Sequence, residues 1–265
     1  MKQILLLPLF MLLILSGCTT DPDTQELRMN SKVLVTLKEN ISKEGRKFIL
    51  DCKTDSIYEC SNFGISFQQQ RNGNVIDVNF THIVTPQTCA ASLGPATAIV
   101  DLGFLLTGTY TLQVLVNESV LQTSMEITPE YYKLNDTSRT WVEVLNPELR
   151  RIPENAIWGH VGFSSDSFAV RQVQPFFDSL EILGAQELEL IPGDYTYFQI
   201  DSSGTMNQPD NPGTENAIPF VYIYNNDIPD IRELVKRYGK SSPLSVALFT
   251  SKGDVFYTWQ LADEP

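Results

Sequence analysis

Apolar and polar positions alternate with a period of two through residues 31–128. Val33, Val35 and Leu37 form the first run, and Phe48, Leu50 and Cys52 the next. Phe63, Ile65 and Phe67 follow, then Ile76, Val78 and Phe80, and later Tyr110, Leu112, Val114 and Val116. Such alternation puts one face of a strand in a core and the other in water. Asn72-Gly73 lies between two runs and supplies the positive φ angles of a type I′ hairpin turn. Residues 120–127 make a closing strand. Seven short strands without a helical stretch predict a β-sandwich of about 100 residues with immunoglobulin-like architecture. An antibody-type Cys…Trp…Cys arrangement is absent.

Residues 129–140 break the alternation and read as a linker, and beyond it the pattern changes. A strand is predicted over 156–163. Val170, Val173, Phe177, Leu180 and Leu183 then recur at helical spacing, with Gly184 as the stop. Pro175 inside that run implies a kink or a later start. Strands over 187–191 and 195–200 are joined by Pro192-Gly193, and another covers 220–224. Asp227 caps a second helix, with Pro229 and Asp230 in its first turn and Ile231, Leu234, Val235 and Tyr238 on one face. Gly239 is its expected end. Segments 244–249 and 255–261 form a last hairpin across Ser251-Lys252-Gly253. This order predicts an α+β domain, helices on one face of a mainly antiparallel sheet, with a ferredoxin-like βαββαβ core as the first topology.

Strand parity points to a candidate binding face. Tyr195 and Tyr197 share one side of their predicted strand, and Tyr222 and Tyr224 share another with Phe220. Tyr257 and Trp259 also point together. Helices covering the aliphatic side, with Ile200, Val221 and Ile223, would leave Tyr195, Tyr197, Tyr222 and Tyr224 on an open platform. Tyrosine suits such a half-wet surface, which could stack sugar rings or grip an envelope protein. The competing expectation is that this face packs on the first domain or under the loop 201–216.

The amino end carries a different signal. Met1-Lys2 precedes an apolar run over 4–14 that closes in Leu15-Ser16-Gly17-Cys18. A basic start, a short apolar core and small residues form an export signal, and the run falls short of the ~20 residues of a spanning helix. Leu15-Ser16-Gly17-Cys18 resembles the lipobox of bacterial lipoproteins. The resemblance implies cleavage before Cys18, a diacylglycerol on its sulfur and an acylated amine. Several acyl chains give lasting membrane attachment where one gives marginal binding. A secretory signal with an incidental cysteine is the other reading. The implied plan is a signal peptide over 1–17, a polar tether over 18–30, the sandwich over 31–128, the linker over 129–140 and the α+β domain over 141–265. Asp21-Pro22-Asp23 is similar to surface-export signals of Bacteroides-type lipoproteins, and Gly108-Thr109-Tyr110-Thr111-Leu112 resembles the last hairpin of exported Ig-like modules. Asp55-Ser56-Ile57 and Asp178-Ser179-Leu180 resemble a short O-glycosylation sequon of such proteins. An outer-membrane lipid anchor is therefore expected, on the periplasmic or the surface side.

Composition narrows the partners. The formal charge is −13 and no basic cluster offsets it, so neither nucleic acid nor anionic headgroups are expected to bind the protein surface. Four cysteines include Cys18, which leaves Cys52, Cys60 and Cys89. In an oxidising compartment these make one bridge and one thiol. Cys52 shares a strand face with Phe48 and Leu50, so the expected pair is Cys60–Cys89. No zinc spacing and no cofactor motif is present, and G-x-S-x-G, H-E-x-x-H and phosphate-loop signatures are missing. His82 and His160 are the two histidines. His160, in Trp158-Gly159-His160-Val161-Gly162, reads as a strand histidine satisfied by backbone, though its flanking glycines admit a close neighbour or ligand. Loop 201–216 could bind calcium through Asp201, Asp210 and Glu215, or be simply solvated. A non-enzymatic binding or assembly role follows as the leading expectation. The rival is a glycan- or peptide-hydrolysing enzyme using Asp201 with Asp194 or Glu215 as a carboxylate pair.

Overall fold

The computed structural model describes residues 26–207 and 213–262, so Cys18 and Asp210 lie outside the described residues. The first strands are β1 (Glu26–Arg28), β2 (Val33–Ser42), β3 (Gly45–Tyr58) and β4 (Gly64–Asn72). They are followed by β5 (Val75–Val84), β6 (Gly94–Gly103), β7 (Gly108–Val116) and β8 (Ser119–Ile127). The alternating positions read from the sequence point into one core: Val33, Val35, Leu37, Phe48, Leu50, Ile76, Val78, Phe80, Leu112 and Val114 are all buried. β2, β3 and β6 lie side by side, as do β4, β5, β7 and β8, and the single pair Gly64–Thr97 joins the two groups. This is a β-sandwich. Within it β5 and β7 run parallel.

The β4–β5 hairpin is centred one residue later than expected. Asn72 is the last strand residue, paired with Val75, and only Gly73 takes a positive φ, at +61°. A type I′ turn over Asn72-Gly73 would need positive φ at both. Cys60 and Cys89 are joined in a disulfide. It spans 29 residues of sequence, for which chain entropy assigns about 3–4 kcal/mol. Cys52 is a buried free thiol, and burial pushes its pKa far up.

The expected linker is instead part of the sandwich. β9 (Tyr131–Leu134) pairs with β8, and β10 (Ser138–Arg139) with β11 (Val142–Val144). β11 runs parallel to β2, and β12 (Glu148–Arg150) pairs with β9. Tyr132, Leu134, Val142, Val144 and Leu149 belong to the sandwich core. The period of two persists in Tyr131-Tyr132-Lys133-Leu134, but the run is short and follows Pro129, which made it read as a break.

A second sheet follows. It begins with β13 (Ala156–Phe163), α1 (Ser167–Ile182) and β14 (Gln186–Glu187); β15 (Gly193–Tyr195), β16 (Phe198–Ile200) and β17 (Met206–Asn207) then rejoin the first sheet, where β15 runs parallel to β12, before the second resumes. β18 (Asn216–Ile223), α2 (Ile228–Ser241), β19 (Ser245–Thr250), β20 (Val255–Tyr257) and α3 (Thr258–Leu261) complete it. The strand order is β14-β18-β13-β19-β20, antiparallel throughout. α1 and α2 cover the face that carries Ile157, Val161, Phe220, Tyr222, Val246 and Leu248. α1 begins at Asp166, whose carboxylate accepts the Phe168 and Ala169 amides, and it continues through Pro175. α2 passes through Gly239 to Ser241. A side chain at Gly239 would meet the Thr258 carbonyl oxygen at 2.4 Å, so this glycine permits close packing of α3 and does not end the helix. The predicted final strand likewise stops at Tyr257, where the short α3 starts. No helix of the described residues is long and apolar enough to cross a membrane.

Candidate functional site

The four tyrosines do not form an open platform. Tyr195, Tyr222 and Tyr224 are buried, and the helices cover the Phe220–Tyr222 face, opposite to the expected side. Parity along β18 holds, but aromatic rings rather than aliphatic ones meet the helices: Phe177 of α1 stacks on Tyr222 with centroids 6.4 Å apart. Tyr195 and Tyr197 do not share a strand face at all. Residues 195–200 are not one strand, because the chain turns at Thr196-Tyr197 between β15 and β16. Alternation alone could not reveal this turn, since Tyr195, Tyr197, Phe198 and Ile200 put apolar groups at both parities.

That turn has a structural role of its own. β2 lies at the border of the sandwich layer, so its outward backbone groups need partners. Trp141 and Leu145 bond to Val33 and Val35. Asn146 takes over at Leu37, where Oδ1 accepts the amide at 2.7 Å and Nδ2 donates to the carbonyl at 3.0 Å. The Glu39 amide donates to Thr196 Oγ1 at 2.6 Å, and the Ile41 amide donates to the Tyr197 hydroxyl at 2.9 Å. The β15–β16 turn thereby seals the far end of β2 and docks the second sheet. Trp158, Val221 and Phe249 on that sheet's helix-free face share a small core with Tyr195, Phe198, Ile200 and Ile41.

Beneath this joint sits a buried carboxylate. Glu39 holds the core-facing parity of β2, after Val33, Val35 and Leu37, and is 3% exposed. Its Oε1 accepts the Tyr132 hydroxyl at 2.8 Å and faces Arg151 Nε at 3.3 Å, while Oε2 lies 3.6 Å from Arg46 Nη1. The guanidiniums reach further. Arg46 donates to the Ile152 carbonyl, and Arg151 Nη1 donates to the Thr128 carbonyl at 2.8 Å. Arg151 also lies over the Tyr132 ring, 5.0 Å from its centroid. Burial, then the Glu39 charge, raise the Tyr132 pKa, so this hydroxyl stays protonated as the donor. The cluster ties β2, β3, β9 and the 150–153 segment together. Its sequence signal was a glutamate at an inward position of an alternating run.

Arg46, Arg150 and Arg151 border a cleft of about 590 Å³ between the sandwich and the second sheet. Ile152, Leu188, Leu190 and Tyr195 give it apolar walls, and Leu106 and Ile191 stand exposed at its rim. Its size falls in the range of small-ligand sites. Arg150 is salt-bridged to Glu148 at 2.8 Å, so it is the guanidinium here that Glu39 does not hold.

Residues 57–127 match the family model of the ORF11 beta-sandwich domain. The match covers the end of β3 through β8, so it concerns the sandwich alone. No curated protein and no solved structure matches the chain. The ORF11 beta-sandwich match includes the Cys60–Cys89 bridge and excludes Glu39, Arg46 and Arg151, whose cluster lies on flanking segments.

The remaining candidates serve local structure. Asp201 accepts the Ser203 and Thr205 amides and the Ser203 hydroxyl, and these bonds hold its pKa low. Glu215 accepts the Ser165 amide at 2.7 Å and is lowered by that bond. Asp201 thus caps its own turn and Glu215 braces the distant segment before α1, and no cluster of three or more metal-ligating side chains is found among the described residues. His160 is buried in β13, and its glycine neighbours make room for protein groups: a side chain at Gly159 would lie 1.9 Å from the Ala247 carbonyl oxygen, and one at Gly162 would lie 2.5 Å from Thr214 Oγ1. His82 contacts Thr81 through Nδ1 and Glu26 through Nε2. Ser179 donates to the Pro175 carbonyl within α1.

Proposed function

We propose that this chain is a lipid-anchored protein of the bacterial cell envelope that binds a partner and does not transform it. The observation that carries the binding reading is the Glu39 cluster. The buried acid and two of the three arginines that border the cleft are saturated by one another, by Tyr132 and by backbone carbonyls. Their chemistry is that of a fixed joint that holds the second sheet against the sandwich. A rigid joint suits presentation of a binding surface at a set distance from a membrane. The anchor reading rests on Leu15-Ser16-Gly17-Cys18, with the acidic stretch after it as tether. The sandwich is read as immunoglobulin-like, with the parallel pairing of β5 and β7 as a departure from that architecture. The second unit is read as ferredoxin-like: counted as successive strands β13, β14, β18 and β19, its order is 4-1-3-2, antiparallel, with a helix after the first and third. A protein partner fits better than a glycan, because the tyrosine platform that would have stacked sugars is buried.

The anchor test is direct. In cells fed a labelled fatty acid, the native chain takes up label and sediments with membranes after a salt wash. Cys18→Ala should lose the label and appear in the soluble fraction. A Cys18→Ala chain that remains with salt-washed membranes sinks the lipoprotein reading.

A further inference from the structure

β18 is fully paired on one side and half paired on the other. Its residues 216–223 all face β13, but β14 covers only Tyr222 and Ile223, and Leu188 adds one bond to the Val221 carbonyl at 3.1 Å. The Tyr224 amide donates to Asn155, so even-numbered residues turn their backbone groups to β13 and odd-numbered ones turn away. The Ala217 amide and carbonyl and the Pro219 carbonyl therefore face outward. No backbone partner for them is found among the described residues. Proline at 219 removes one amide from this edge, the usual place for proline in a sheet.

The Pro219 end of this open edge, with Ile218 and Phe220 to Tyr222, lines a groove of about 820 Å³, and Ala217 lies next to it along β18. Phe177 and Glu181 of α1 make one wall, and Ile200 and the 203–206 turn make the other. An extended strand laid along the edge would send alternate side chains against each wall. Glu181, Glu187 and Glu189 line the groove, all three exposed, and no Lys, Arg or His is among its lining residues. Charge complementarity thus selects a basic occupant. A second copy of this chain, at −13, is repelled, and so is the chain's own tether with Asp21 and Asp23.

We propose that this groove is a docking site for an extended, Lys- or Arg-bearing segment of another protein, which adds to β18 as a further strand. Main-chain hydrogen bonds to Ala217 and Pro219 supply the pairing, and the three glutamates supply the preference for positive charge. This deepens the binding reading above and rests on it for the kind of partner, but not on the anchor.

The test uses the full chain, purified in mild detergent, and a fluorescent peptide of alternating lysine and valine. Three controls go with it: glutamate in place of lysine, the same lysine peptide N-methylated on one set of alternate amides, and the same peptide N-methylated on the other set. The lysine peptide should bind with an affinity that falls as salt rises, and the glutamate peptide should not bind. N-methylation of the set that faces β18 blocks pairing while keeping charge and side chains, and should weaken binding at least tenfold. Methylating the outer set should leave binding within about threefold. Glu181→Lys with Glu187→Lys, both exposed, should weaken binding at least tenfold with an unchanged melting temperature. Equal binding by all three lysine peptides would mean charge adsorption without strand pairing and would overturn the proposal. So would undiminished binding to the double variant, or no binding of the lysine peptide at low salt. None of these results bears on whether Cys18 is lipidated, so failure here is distinguishable from failure of the anchor.

Discussion

Two strand edges in this molecule are treated in opposite ways. β2 is sealed along its outer side by strand pairing at Val33 and Val35, by Asn146 at Leu37, and by Thr196 and Tyr197 at Glu39 and Ile41. β18 is open at Ala217 and Pro219, which have no outward backbone partner among the described residues, and Pro219 lines a groove. An unpaired edge invites association, and proteins ordinarily cover or blunt it. Where the same chain covers one edge with side chains drawn from two distant segments and gives the 217–219 part of the other only a proline and a rim of glutamates, that stretch reads as a place kept for a partner.

The largest expected effect comes from breaking the sealed side at its base. Glu39→Ala leaves Arg46 and Arg151 without their shared acid and Tyr132 without its acceptor. Removing one member of a buried ion pair costs about 3–5 kcal/mol. The melting temperature should fall by roughly 6–20 °C, given about 2–4 °C per kcal/mol in a chain of this size. A fall of under 2 °C would show that the cluster does not hold the joint.

Opening the seal in its middle comes next. Asn146→Ala strips both partners from the Leu37 backbone, which costs about 1–3 kcal/mol where no water replaces them. Chemical denaturation should show it as a lower midpoint at unchanged slope. Tyr197→Phe is milder, because it removes only the acceptor of the Ile41 amide; about 1 kcal/mol is expected, with the ring packing on Trp158 retained.

The smallest effect on stability is expected on the open side. Pro219→Ala should change the melting free energy by no more than about 0.5 kcal/mol, as an edge substitution away from any core contact. It restores an amide to the edge, so the lysine peptide should bind about 2- to 10-fold more tightly, the worth of one hydrogen bond. A large loss of stability with no change in peptide affinity would show that Pro219 serves the fold and not the edge.

The sandwich was legible because its signal is local. The named alternating positions of inward parity from Val33 to Phe80 are inside, except Phe67, which follows a register shift at Ser66–Phe67 and is half-buried, so little knowledge of pairing was needed. Cys60–Cys89 followed from Cys52 lying on that parity. What escaped the sequence were features that depend on distant segments. Tyr131–Leu134 looked like a linker because its partners β8 and β12 define it as a strand. The turn at Thr196-Tyr197 is set by the β2 amides that it caps, which no local pattern announces. The second sheet's strand parity was right and its orientation reversed, since aromatic rings pack against helices as well as aliphatic ones do. Gly239 looked like a helix stop because the neighbour that requires it, the Thr258 carbonyl, lies across the fold. Glu39 alone among the missed groups left a readable trace, as a charge on a core-facing position.

Residue-resolved hydrogen exchange tests the contrast between the edges most directly, because it reads each amide in its native setting. The amides of Leu37, Glu39 and Ile41 should be protected together, and that of Ala217 should exchange at least a hundredfold faster in the free chain. Added lysine peptide should slow Ala217 and leave Leu37, Glu39 and Ile41 unchanged. An Ala217 amide as protected as Ile41 before any peptide is added would show that this edge is already covered, and the account of it as a docking strand would be wrong.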